Sequence, residues 1–312
     1  MADVPFRPPH SALVASGQVS SLARDMTAII AADVPLERVQ QQLSQHGQWL
    51  PVDGDPRRAV GQLVERNSSG PLRLGFGAWR DLLLGVQFNN GLGELITVGG
   101  RTVKNVAGYD LTKFMVGQRG VFGRVVTITT RTYRRPAGAL AARFPLDVQL
   151  AGGLLGGDCR PQWMLARPGE LWCGYLADAR TLAYYASRLA GAGAAAMEGR
   201  SLEEDMAHRA SLWDVPDDVW ALHASVPPAR IVELAEALGA AEWVAEAAFG
   251  TMILRNVDEG LARAALERVG GSAFLARGDE VRFLLVDEAQ RRLLRRLKEA
   301  LDPQGRLAPL EW

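Results

Sequence analysis

Cysteine is almost absent from this sequence, with only Cys159 and Cys173. Two are too few for a disulfide framework or a thiolate metal site, and they read as reduced, buried thiols. A charge imbalance is also missing. Lys plus Arg and Asp plus Glu number 35 each among 312 residues, so the formal net charge is zero and nothing in the balance points to nucleic acid. The positive charge is nearly all arginine. No apolar run approaches the roughly 18 residues of a membrane span. No basic-then-apolar leader opens the chain; residues 1–20, with Val4-Pro5-Phe6-Arg7-Pro8-Pro9, read as an irregular lead-in. The expectation is a cytoplasmic protein. No metal site is expected either: His208, on a helical stretch after Glu203-Glu204-Asp205, and His223, in a strand-like stretch, lack converging ligands. Two nucleotide fingerprints are missing as well. There is no Gly-x-Gly-x-x-Gly after a strand and no Gly-x-x-x-x-Gly-Lys-Ser/Thr.

Glycine, by contrast, is concentrated. Gly99, Gly100, Gly108, Gly117, Gly120 and Gly123 punctuate one stretch, with Arg101-Thr102-Val103-Lys104-Asn105-Val106-Ala107 and Tyr109-Asp110-Leu111 between them. Gly99-Gly100 reads as a strand end and turn, Tyr109 to Val116 as a short helix, and Gly117 as its stop. Phe122 to Tyr133, rich in Val and Thr, reads as a strand. A glycine-bearing loop feeding a helix can cradle a phosphate or a flat cofactor, and the same glycines can simply turn corners. Spacing leaves both readings open.

The chain before this stretch alternates strand and helix. Met26 to Ala32 reads as a buried strand, Leu36, Val39 and Leu43 as a helix closed by Gly47, and Asp55-Pro56 as the start of a second helix with a Val60, Leu63, Val64 stripe. Asn67-Ser68-Ser69-Gly70 ends that helix. Arg80-Asp81 precedes a hairpin of Leu82 to Phe88 and Glu94 to Val98, and reads on its own as a surface ion pair. Pro136 and Gly138 mark a junction. Beyond it come strand pairs at Gln162 to Ala166 and Leu171 to Leu176, and at Trp243 to Ala247 and Thr251 to Leu254, with helices at Ala179 to Leu189, Ala229 to Leu238, Leu261 to Val269 and Ala289 to Leu301. Single strands are expected at Val219 to Val226 and Ser272 to Ala276. That alternation predicts an α+β layer, one antiparallel sheet with helices over one face. No exact internal repeat is visible.

Lys104-Asn105-Val106-Ala107-Gly108-Tyr109-Asp110-Leu111 followed by Gly117-Gln118-Arg119-Gly120-Val121-Phe122-Gly123 closely resembles the flavin-binding subunit of bacterial glycolate oxidase, in the vanillyl-alcohol oxidase / PCMH superfamily of FAD enzymes. Gly47-Gln48-Trp49-Leu50-Pro51 is similar to an early segment of that family. Asp302-Pro303-Gln304-Gly305 is similar to its C-terminal signature. The resemblance implies a PCMH-type FAD-binding domain over residues 21–136, then an α+β cap domain with an antiparallel sheet over 137–312, whose last helix returns to the first domain. It implies FAD contacts at Ser68, Ser69, Gly70, Arg80, Lys104, Asn105, Ala107, Gly108, Tyr109, Asp110, Gly117, Gly120, Gly123 and Val125. It also implies a second flavoprotein subunit and an iron–sulfur subunit as partners.

Departures accompany the likeness. The family's Arg-Gly-x-Gly-Thr-like pyrophosphate loop has no counterpart before Ser21, so the FAD domain is expected to lack its first subdomain. Gln118-Arg119 replaces a serine-containing pair, Pro56 to Gly61 holds one glycine, and Ala308 and Leu310 stand where Asn and Gly are usual. Charge from Arg57, Arg58, Arg80 or Lys104 would compensate. Two readings follow: an FAD-binding subunit of a glycolate oxidase-like 2-hydroxy acid oxidoreductase, or a flavin-free structural subunit on the same fold. No catalytic base is identified.

Overall fold

The computed structural model describes residues 14–100, 111–278, 280–284 and 288–310. These residues form two compact units. One holds the chain up to Ser69, Gly77–Arg135 and Leu293–Leu310; the other holds Gly70–Phe76 and Pro136–Arg292.

The first stretch of chain runs β1 (Val19–Leu22), β2 (Thr27–Ala31), α1 (Leu36–Ser44), β3 (Gln48–Trp49), α2 (Val60–Arg66), α3 (Arg73–Phe76, in the second unit), α4 (Trp79–Leu82), β4 (Leu83–Asn89), β5 (Leu95–Gly99), α5 (Leu111–Phe114), β6 (Arg124–Arg131) and β7 (Tyr133–Arg134). The strands build an antiparallel five-stranded sheet in the order β1-β2-β6-β4-β5, with β3 and β7 paired separately. Strand β2 lies between β1 and β6 and is buried along its whole length. The apolar stripes expected for the two helices, Leu36, Val39 and Leu43 in α1 and Val60, Leu63 and Val64 in α2, pack with Ile30, Val86 and Ile128. Two glutamines stitch this core. Gln40 donates to the Leu50 carbonyl at 2.6 Å and accepts the Leu50 N–H at 3.0 Å; Gln48 accepts the Thr132 hydroxyl at 2.8 Å.

Helix α2 starts later than the Asp55-Pro56 signal suggests. Asp55 instead closes a local turn, taking the Arg57 and Arg58 amides with its side chain and carbonyl. The amides of Val60 and Gly61 go to the carbonyls of Val34 and Ala32, both at 2.9 Å, so contact with the turn after β2 sets where the helix begins. Gly61 is where the helix touches that turn: a Cβ there would lie 2.6 Å from Ala32 Cβ.

The second unit continues with β8 (Gly138–Pro145), α6 (Val148–Gly156), β9 (Trp163–Arg167), β10 (Glu170–Ala177), α7 (Ala179–Gly191), β11 (Ala196–Arg200), α8 (Leu202–Trp213), β12 (Ala221–Ser225), α9 (Ile231–Ala237), β13 (Trp243–Glu246), β14 (Thr251–Arg255), α10 (Glu259–Val269), β15 (Ser272–Arg277), β16 (Glu280–Phe283) and α11 (Glu288–Leu301), the last running on into residues of the first unit. Its nine strands form one antiparallel sheet in the order β11-β8-β10-β9-β13-β14-β12-β15-β16. The order reveals a duplication that residue identity hides. β8-α6-β9-β10-α7-β11 and β12-α9-β13-β14-α10-β15 are each a split β-α-β unit with the same strand order. They join edge to edge where Ala166 and Leu165 of β9 face Ala245 and Glu246 of β13.

Alternation along the strands sorts the faces. Phe144, Met164, Cys173, Tyr175, Leu222, Met252 and Leu254 form the core with Leu154, Leu189, Leu234 and Leu266 of the four covering helices. The other face carries Trp163, under α8. Asp205 and Arg209 of that helix form a fully buried ion pair, and the Trp163 indole donates to Asp205 at 3.3 Å. His208 lies edge-on to Trp172 with centroids 4.8 Å apart. Across the sheet, Gly174 makes room for Trp163, whose ring atoms lie 1.8 Å from where a Cβ would stand.

Candidate functional site

The residues expected to meet a cofactor fall into three groups. Lys104, Asn105, Ala107, Gly108, Tyr109 and Asp110 lie outside the described residues. A second group meets at the C-terminal end of α2. Arg80 stands apart: it is exposed on α4, and no ion pair joins it to Asp81 among the described residues; Asp81 accepts the Ala78 N–H at 2.9 Å.

The second group is built from two chain reversals lying against each other. Asn67 ends α2 in a left-handed conformation, and the Ser68 N–H returns to the Leu63 carbonyl at 2.8 Å. Ser68 presents its carbonyl to the Trp79 indole N–H at 3.0 Å, and the Ser69 hydroxyl reaches Asn67 Oδ1 at 3.3 Å. Opposite runs the loop Gly117–Gly123. Gly117, Arg119 and Gly120 all have positive φ, at 83°, 54° and 77°. The amides of Gly117 and Arg119 donate to the carbonyls of Val64 and Glu65, at 3.0 and 2.8 Å, so this loop satisfies the otherwise open end of α2. A Cβ on Gly117 would sit 3.2 Å from Asn67 Cβ. Gly70 begins the segment belonging to the second unit, where its carbonyl accepts the Arg73 N–H.

Two side chains hold the loop's shape. Gln118 is buried, donates to the Gly123 carbonyl at 2.8 Å and accepts the Phe122 N–H at 2.9 Å. The departure from a serine-containing pair is thus an internal brace. Glu65 accepts the Val125 N–H at 2.8 Å; burial pushes its carboxyl above the ordinary range, against the pull of that bond and of Arg124. Burial, helped by Arg66, draws the Arg119 guanidinium down to about 10. Gly123 is a packing glycine, since a Cβ would meet the Phe88 ring at 2.4 Å.

Donors remain after this internal pairing. Among the described residues no hydrogen bond engages the Ser68 hydroxyl or the amides of Ser69 and Gly120. Among the described residues nothing lies within 4 Å of a Cβ at Gly100, and at Gly120 the nearest atom is Ala308 Cβ at 3.9 Å. Hydroxyl and amide donors beside a glycine loop suit an anionic, nucleotide-bearing group, so the donor set fits FAD. Sequence reasoning passed over Glu65, and noted Gln118 and Arg119 as a departure from the family pair without giving them a part in the site. Their signal was weak: single polar residues bordering an apolar stripe or a glycine. Among the described residues no group of three His, Cys, Asp or Glu could hold a metal, and no helix is long and apolar enough to cross a membrane.

Comparison with known proteins places this geometry in context. Residues 15–114 match the model of a family described as an FAD binding domain. The glycolate oxidase subunit GlcE of Escherichia coli is 34% identical over 120 residues, 38% of this chain and 34% of its own length. The mitochondrial D-lactate dehydrogenase [cytochrome] of Arabidopsis thaliana is 28% identical over 39% of this chain and 22% of its own length. Glycolate oxidase subunit GlcD of Bacillus subtilis is 29% identical over 36% of this chain and 24% of its own length. The chain therefore spans about a third or less of the length of these relatives. Among solved structures, alkyldihydroxyacetonephosphate synthase superposes with a TM-score of 0.65 at 14% identity, covering 92% of this chain and 65% of that one. The fold is that of a PCMH-type FAD-binding domain followed by an α+β unit with an antiparallel sheet.

Proposed function

We propose that this protein is an FAD-dependent oxidoreductase subunit acting on a 2-hydroxy acid, in a complex similar to glycolate oxidase. The observation that carries the reading is the coincidence of the family match over residues 15–114 with an N-terminal unit in which Ser68, Ser69 and Gly120 keep donors available beside a left-handed glycine loop. Relatives named as glycolate oxidase subunits and D-lactate dehydrogenase support the substrate class. In this reading Ser68, Ser69, Gly70, Gly117 and Gly120 hold the nucleotide together with Lys104, Asn105, Ala107, Gly108, Tyr109 and Asp110. Gly123 and Val125 shape the loop from behind, and Arg80 contributes charge from the surface. When bound, FAD supplies the two-electron acceptor that oxidation of a hydroxyl carbon requires. The chain's own residues bind it, orient it and keep the loop folded. With two buried free cysteines, the chain offers no thiolate set for a cluster. Electrons would leave through a second flavoprotein subunit and an iron–sulfur subunit, in the cytoplasm.

A flavin-free structural subunit is the second reading. It draws on the number of loop amides already spent on the protein itself, those of Gly117, Arg119, Phe122 and Val125. Expression alone and beside the candidate partner subunits, with flavin extracted and quantified and glycolate- or D-lactate-dependent dye reduction measured, separates the two. Flavin with turnover supports the first; a colourless chain that co-purifies with an active flavoprotein supports the second.

A further inference from the structure

The glycine loop Gly117–Gly123 is held from a second side by the C-terminal segment of the same unit. Lys298, near the end of α11, donates to three oxygens: the Val121 carbonyl at 2.9 Å, the Ala308 carbonyl at 2.7 Å and Asp302 Oδ2 at 2.7 Å. Its side chain is 15% exposed and that of Asp302 is fully buried. Asp302 in turn accepts the amides of Arg306 and Leu307, at 2.8 and 3.0 Å, folding the Asp-Pro-x-Gly turn around itself. Ala308 then donates to the Gly120 carbonyl at 3.3 Å. The β4–β5 hairpin closes the assembly: the Gly91 N–H donates to the Leu301 carbonyl at 2.9 Å, and a Cβ at Gly91 would lie 2.2 Å from Asp302 Oδ1. One buried ammonium thus ties the loop carbonyl, the C-terminal strand of chain and the turn carboxylate together.

The chemistry of this site is specific. Val121 and Ala308 lie far from Lys298 in the covalent chain or across the Asp302 turn, and only a long, flexible cation with three donors serves both carbonyls and the carboxylate at once. These contacts meet the loop at Gly120 and Val121, while its Gly117 and Arg119 amides close the end of α2. The loop is therefore clamped between α2 and the C-terminal turn, with Gly120 next to the Ala308 contact.

We propose that Lys298 is a positioning residue for the cofactor loop, setting the conformation of Gly117–Gly123 from the C-terminal turn and thereby the affinity of the chain for FAD. The inference rests on the proposed flavin site for its second half only; the clamp on the loop stands on the contacts themselves. Removing the ammonium takes a donor from the Val121 and Ala308 carbonyls and leaves the buried Asp302 carboxylate with the Arg306 and Leu307 amides, enough to loosen the loop and weaken a ligand that needs it ordered by roughly tenfold.

The test uses the full chain as wild type, Lys298→Met, Lys298→Arg and Gln304→Ala, the last an exposed control in the same turn. Amide hydrogen exchange reads the loop, and quenching of FAD fluorescence reads binding. Lys298→Met is expected to speed exchange in residues 117–123 while β2 and β6 of the same unit keep their protection, and to raise the Kd for FAD about tenfold. Lys298→Arg is expected to recover most of both effects, and Gln304→Ala to change neither. Unchanged exchange in 117–123 overturns the proposal. Equal acceleration in the loop and in β2 also overturns it, since that marks loss of the whole unit's stability. If wild type shows no FAD binding, the flavin reading fails, while the exchange result still decides the clamp.

Discussion

Gly61→Ala sets two opposing effects against each other where α2 meets the turn after β2. Alanine in a helix is favoured over glycine by about 1 kcal/mol, so α2 alone would gain from the change. The surroundings reverse the sign. The added methyl would stand 2.6 Å from Ala32 Cβ, 2.9 Å from its carbonyl oxygen and 3.2 Å from its Cα. None of these atoms belongs to a flexible side chain, so backbone must move, at a cost of about 1–3 kcal/mol. The Gly61 to Ala32 hydrogen bond at 2.9 Å stretches with it, a further loss of about 1 kcal/mol. The expected balance is a destabilisation of about 1–3 kcal/mol, confined to the first unit. Gly153→Ala is the matched control. It lies in α6, exposed, with nothing within 4 Å of a Cβ, and it should stabilise the second unit by about 0.5–1 kcal/mol. Urea unfolding followed by hydrogen exchange, read on peptides of β2 and of β9–β10, assigns each change to its unit. A Gly61→Ala protein as stable as wild type would refute the reasoning, because helix propensity would then outweigh the clash.

Three further outcomes follow from the second unit and the C-terminal turn. Arg209→Met leaves Asp205, fully buried, with the Trp163 indole as its remaining donor, and should cost about 3–5 kcal/mol in chemical denaturation; adding Asp205→Leu should restore much of it. Burial, then Arg200, draws His208 down to about 4 from an ordinary 6.5, so the folded state resists its protonation. Stability of the second unit should therefore be full above pH 6.5 and fall as pH drops towards 4, by about 1–2 kcal/mol once solvent screening at this partly buried ring is allowed for. His208→Gln should flatten that window in a pH series of melts. The Lys298 ammonium holds the Asp302 carboxyl down to about 2 from 3.8, so the C-terminal turn should keep its protection through the histidine window and lose it only below about pH 4. Asp302→Asn should remove that lower limb, as measured by exchange of residues 302–308.

Much of the fold was legible because apolar periodicity and turn residues agree locally. Leu36, Val39 and Leu43 mark α1, and the strand pair expected at Gln162 to Ala166 and Leu171 to Leu176 is β9 and β10, reversing at Arg167-Pro168-Gly169. The antiparallel sheet and the four helices over its core face follow from the same signals, but α8 covers the opposite face at Trp163, so the expectation of helices over one face alone is corrected. What escaped was weak in type. β8 reads Gly-Ala-Leu-Ala-Ala and α6 carries Gly152, Gly153 and Gly156, so neither has the residues its state prefers, and sheet pairing and burial decide both. The duplication within the sheet escaped because it lives in strand order, which no local pattern records. At the candidate site, the glycines and serines were visible as types. The buried Glu65, the brace of Gln118 and the reach of Lys298 to Val121 depend on segments far apart in the chain.

Flavin content is the most direct measure of the central claim. The full chain, expressed with its candidate partner subunits and then isolated, should carry FAD in stoichiometric proportion, with an absorbance band near ~450 nm, and should rebind added FAD after the cofactor is stripped. A folded chain, intact by its melting profile, that neither retains FAD in the complex nor quenches added FAD would contradict the account.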